Sequence, residues 1–77
     1  MTDNNINHPA HYTAGAVECI AAIESAIAGQ NDAVSAFLTG QVIKYLWRFP
    51  RKNGAEDLQK ADWYLQRLIA RVVSNQY

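Results

Sequence analysis

Lysine and arginine are missing from the first 43 residues, and a chain of 77 holds one cysteine and two prolines. The single thiol, Cys19, rules out an internal disulfide and fits a reducing compartment. No apolar run approaches the roughly 20 residues that a membrane span needs. No charged-then-apolar leader opens the chain, so secretion is not expected. No strand-like alternation appears, and there is no G-x-x-x-x-G-K-[ST] phosphate loop. No Ser/His/Asp or Cys/His constellation follows from spacing. The acids are scattered, without the E-x-x-E pairs with which all-α triphosphate pyrophosphatases hold magnesium.

What is present is helical periodicity. Val17, Ile20, Ala21, Ile23 and Ile27 predict a helix over 14–28, capped by Thr13 and stopped by Gly29. Val34, Phe37, Leu38, Val42, Tyr45, Leu46 and Phe49 predict a second over 33–49. Asn31 or Asp32 caps it, and Pro50, which disfavours the α region for Phe49, ends it. Asn53-Gly54 is a turn signal, and Asn53 with Glu56 reads as a capping box. Leu58, Ala61, Leu65, Leu68 and Val72 then predict a third helix over 55–73. The expected fold is all-α and a single domain over 1–77, with an extended arm at 1–12, three helices and a helical hairpin at 33–73. A domain this small buries only roughly 60 % of the surface of its unfolded chain, so self-association is also expected.

The formal charge is zero but unevenly placed. Asp3, Glu18, Glu24 and Asp32 give residues 1–43 a charge of −4. Seven bases against Glu56, Asp57 and Asp62 give residues 44–77 a charge of +4. Such a split suits a compact anion site or a self-complementary contact. It does not suit a duplex nucleic acid partner, which calls for a net basic face.

The basic residues crowd around the elbow of the hairpin. Gly40, Gln41, Lys44 and Arg48 follow one another at helical steps. That strip faces either phosphate or solvent and ion pairs. The elbow returns Lys52 to the same end, so a positive pocket of Lys44, Arg48 and Lys52 is expected, edged by Asp57, with Lys60 near by. Arg71, far along the third helix, is expected to stand apart from it. Gly40 costs about 1 kcal/mol relative to alanine inside a helix, which a close helix contact or a close ligand would justify. His8-Pro9-Ala10-His11-Tyr12 is either an arm packed on the helices or one that touches ligand. It supplies two metal ligands and no spacing supports Cys19 as a third, so no metal is expected. Glu18, about one turn away, either meets solvent or faces that arm. Trp63 and Tyr64 lie on adjacent flanks of the third helix, so one of them covers a second surface, a subunit contact or a base-stacking face.

HPAHY, then Gly15 and Glu18, then F-x-x-G-x-x-I-K-Y-L-W-R and K-N-G-x-E-D-L-x-K-A-x-W-Y-L form an ordered set. Over residues 8–69 it resembles a family of short bacteriophage proteins of unknown function. That family is often labelled nucleotide-kinase-like, because a nucleotide kinase of a lytic podovirus carries the same domain. The matching positions are His8, Pro9, His11, Tyr12, Glu18, Gly40, Lys44, Tyr45, Arg48, Lys52, Gly54, Asp57, Lys60 and Tyr64. Departures are Gly40-Gln41, where relatives tend to have Gly-Asn, and the stiff elbow Phe49-Pro50-Arg51.

The resemblance implies a cytoplasmic protein of an infected host cell that binds a nucleotide or a nucleotide-derived signal, and so can sequester a host defence nucleotide without chemistry. Lys44, Arg48 and Lys52 would hold phosphate. Tyr12, Tyr45 or Trp63 would stack on the base, and His8 or His11 would bond sugar or base. Two alternatives stand beside it. One is a nucleoside monophosphate kinase-like enzyme using ATP and Mg, with Asp57 or Glu18 orienting a metal or an acceptor hydroxyl. The other is a protein-interaction module that inhibits a host enzyme, marked by an exposed aromatic patch without a small-molecule pocket.

Overall fold

The computed structural model describes residues 15–75. It is all-α. Helix α1 spans Cys19–Ile27, α2 spans Ala33–Arg48, a 3-10 turn spans Phe49–Arg51 and α3 spans Ala55–Asn75. The first helix starts later than its spacing predicts. Residues 15–17 form a bend, and Glu18, extended at φ −73° and ψ 146°, takes the N-cap position. Gly15 explains part of the delay, because glycine loses more backbone entropy in a helix than any other residue. Thr13, the expected cap, lies outside the described residues. Asp32 is the cap of α2, its carboxylate accepting the Ser35 N–H at 2.9 Å.

The elbow departs from expectation twice. Phe49 keeps helical dihedrals (φ −55°, ψ −36°) although a proline follows, and its N–H bonds the Tyr45 carbonyl. Pro50 then sits inside the 3-10 turn, where its missing N–H costs little. The expected capping box also shifts by one residue. Asp57, not Glu56, reaches back to accept the Asn53 N–H at 3.3 Å, and Glu56 turns to Lys60 at 3.3 Å. Gly54 makes the reversal at φ +54°, where a side chain would strain the backbone, and its N–H closes onto the Phe49 carbonyl at 2.9 Å.

Helix α2 is the middle element, with both α1 and α3 packed on it. A Cβ on Gly40 would lie 3.3 Å from Ile23 Cγ2 of α1, so this glycine serves close helix packing. The described residues span 45 × 27 × 18 Å with a radius of gyration of 13.7 Å. A compact domain of this size would have about 11 Å. The core is correspondingly thin. Among the described residues, Cys19, Leu38 and Ala61 are the buried apolar ones, beside the polar Ser35, Arg48 and Asp57. Several members of the expected apolar stripes stay exposed: Val17 in the bend before α1, Ile20 on α1, Val34, Phe37 and Leu46 on α2, Leu58 and Leu65 on α3.

Candidate ligand-binding face

One side of the α2–α3 hairpin collects aromatic rings and cations. Tyr45 of α2 stacks on Tyr64 of α3, centroids 5.9 Å apart and planes within 11°. Phe37 and Trp63 each meet Tyr64 edge-on, at 6.3 and 5.0 Å. These are the offset and T-shaped geometries that ring quadrupoles favour. Three cations surround the Tyr45 ring: Lys44 Nζ at 4.6 Å, Arg48 Cζ at 4.8 Å and Lys60 Nζ at 5.6 Å. Arg67 Cζ lies 5.1 Å from the Trp63 ring, one helical turn further on. Beyond them an open groove of about 440 Å³ runs between the helices, lined by Val34, Phe37, Leu38, Arg67, Ala70, Arg71 and Ser74.

Phe37 and Trp63 are more than half exposed, at 58 % and 56 %, whereas Tyr45 and Tyr64 are half-buried. The two flanks of α3 therefore divide. Tyr64 turns inward to α2 and Trp63 turns outward. Among the described residues, Lys44 and Arg67 have no carboxylate partner, while Lys60 pairs with the exposed Glu56. The face is thus net positive around exposed π surfaces.

Arg48 does not stand in that face as expected. Its Nε and Nη2 donate to Oδ2 and Oδ1 of Asp57, both at 3.1 Å, a bidentate pair. Asp57 is fully buried and Arg48 is 9 % exposed. Asn53 adds two donors to the same carboxylate, its backbone N–H and its Nδ2. The Arg48 hydrogen bond is the main reason that the Asp57 carboxyl is held below its ordinary value of 3.8; burial opposes the shift and Asn53 supports it. Asp57 is therefore not the edge of a pocket but the buried post to which Arg48 is tied. Lys52 is exposed on the elbow turn, apart from the ion pair.

Arg71, expected to stand apart from the elbow, grips Asp32 with Nε at 3.0 Å and Nη2 at 2.7 Å, joining the start of α2 to the far part of α3. Burial pushes the Cys19 thiol up, and the nearby Lys44 charge partly offsets this. Glu18 sits half-buried at the head of α1. His8, His11 and Tyr12 lie outside the described residues, so their expected contacts do too. Among the described residues, no group of three or more His, Cys, Asp or Glu gathers at metal-holding distance. No helix there is long and apolar enough to cross a membrane.

Phe37 and Arg67 were missed as site residues in the sequence. The Trp63–Arg67 spacing of one turn was the available signal for Arg67. For Phe37 there was none, because its position fits an inward stripe equally well. Neither a curated protein nor a solved structure matches the chain. A family model described as a protein of unknown function, DUF3310, matches residues 6–66, and the chain belongs to that family.

Proposed function

We propose that this face of the hairpin binds a nucleotide or a nucleotide-derived signal, with Lys44, Lys60 and Arg67 on phosphate and Trp63 and Phe37 against the base. The observation that carries the reading is the two exposed rings, Trp63 and Phe37, each edge-on to Tyr64, with the Arg67 guanidinium over Trp63. Exposed rings offer a base its π face, and ammonium and guanidinium groups supply charge-assisted hydrogen bonds to phosphate. Arg48 acts from beneath, fixing the Tyr45 ring that Lys44 and Lys60 flank. Lys52 on the elbow extends the basic end. Binding without turnover suits this site and would let a phage protein in the host cytoplasm hold back a defence nucleotide.

The kinase-like reading, with ATP and Mg, asks Asp57 or Glu18 to orient a metal or an acceptor hydroxyl. The Asp57 carboxylate is already bound by Arg48 and Asn53, which leaves that role to Glu18. A second reading has an observation in its favour. Exposed Trp and Phe beside Arg over an open groove also suit the centre of a protein–protein contact. Thermal-shift and calorimetric titrations with a panel of mono-, di-, tri- and cyclic nucleotides test the proposal. Binding with the nucleotide recovered unaltered supports it. Consumption of ATP supports the kinase-like reading, and neither binding nor turnover supports the interaction module.

A further inference from the structure

The opposite side of the hairpin has a different composition. Leu58 and Lys60 are two residues apart, hence about 200° apart around α3, and so are Lys44 and Leu46 around α2. Both lysines reach the Tyr45 ring, so Leu46 and Leu58 share the reverse side. Leu65, Ile69 and Val73 continue that stripe along α3. The five side chains are 40–68 % exposed. The one formal charge within the α3 stripe is Asp62, and Gln66 donates to it at 3.5 Å.

We propose that this stripe is the contact surface for a second copy of the chain, packed antiparallel about a twofold axis near Leu65 and Gln66. The inference is independent of any ligand on the other side.

Three observations select this occupant. The first is area. The five side chains leave on the order of 450 Å² of apolar surface on each protomer, so pairing removes about 900 Å², close to the apolar share of a standard-size protein contact, roughly 57 % of 1,600 Å². The second is the thin core, in which Cys19, Leu38 and Ala61 are the buried apolar residues among those described. A chain of this length needs burial from elsewhere. The third is charge. A twofold axis brings identical patches together, which a nearly uncharged aliphatic stripe tolerates. The antiparallel arrangement sets Leu58 against Val73 of the partner copy. It also keeps the two Asp62 carboxylates about 10 Å apart along the seam, where a parallel pairing would oppose them directly.

Sedimentation velocity on the full chain tests this. The wild type is expected at twice 8.6 kDa. Ile69→Lys is expected at 8.6 kDa with unchanged far-UV circular dichroism, because Ile69 is already exposed in the protomer. Trp63→Ser, on the other side, is expected to remain dimeric. Gln66→Cys treated with a short bis-maleimide is expected to give a covalent dimer, with the wild type, whose Cys19 is buried, as the blank. A wild type that is monomeric at every concentration would overturn the proposal. So would an Ile69→Lys dimer, or a dimer that Trp63→Ser abolishes and Ile69→Lys does not.

Discussion

The two sides of the hairpin differ by a rotation of half a turn and by the kind of apolar surface they expose. On the side of Lys44, Lys60 and Arg67 the exposed apolar groups include two rings, Phe37 and Trp63, with Val34 beside Phe37. On the side of Leu46, Leu58, Leu65, Ile69 and Val73 they are aliphatic. A ring has a negative face that a cation or a base can address in a defined geometry. An aliphatic stripe recognises only shape and the removal of water. The ring side is thus equipped to choose a charged planar ligand, and the aliphatic side to meet a surface like itself. Beneath the elbow, the Arg48–Asp57 pair ties the start of α3 to the end of α2 and so holds both sides in register.

The sharpest way to break this comparison is to remove that tie. Arg48→Ala leaves the Asp57 carboxylate without its cation, and is expected to give the largest fall in the urea unfolding midpoint of the variants named here. An Arg48→Ala protein of wild-type stability that had lost only ligand affinity would place Arg48 in the binding face instead. Asp32→Ala comes next. It removes the cap of α2 and the Arg71 pair together, with an expected loss of about 1–2 kcal/mol in urea unfolding. The smallest expected effect is that of Lys60→Gln, under about 0.5 kcal/mol, because the Lys60–Glu56 pair is exposed and belongs to the face rather than the frame.

Acid should report on the frame in the same way. The Asp57 carboxyl is held below its ordinary 3.8 when folded, so the unfolded chain binds its proton more readily. Its stabilising contribution is therefore full above pH 3.8 and is lost as the pH falls through the lower, folded value. Urea unfolding followed over a pH series should show a steeper acid loss for the wild type than for Asp57→Asn. Equal slopes would remove Asp57 from the acid response.

The helices themselves were legible because apolar residues recur at steps of three and four and the chain breaks at Pro50 and Gly54. Which stripe faces inward was not. In α3 the pattern Leu58, Leu65 and the pattern Asp57, Tyr64 lie about 100° apart with Ala61 between them, and periodicity alone favours the more apolar one. The structure buries the second, because Arg48 waits across the elbow to neutralise Asp57. A contact between residues nine apart depends on the exact turn, and the turn depends on Gly54 at φ +54° and on a proline accommodated in a 3-10 segment. Of the expected basic strip, Lys44 was readable as a face residue. Arg48 shares its spacing, and only the position of Asp57 separates their roles. The two faces of Trp63 and Tyr64 were readable as divided, though not which of them points out.

The central claim is that the ring side, and not the aliphatic side, binds a nucleotide. Calorimetric titration of one responsive nucleotide into the wild type, Trp63→Ala and Leu58→Ser tests it most directly. The account predicts at least a tenfold loss of affinity for Trp63→Ala, about 1.4 kcal/mol, and an unchanged constant for Leu58→Ser. Equal losses in both variants, or an unaffected Trp63→Ala protein, would contradict it.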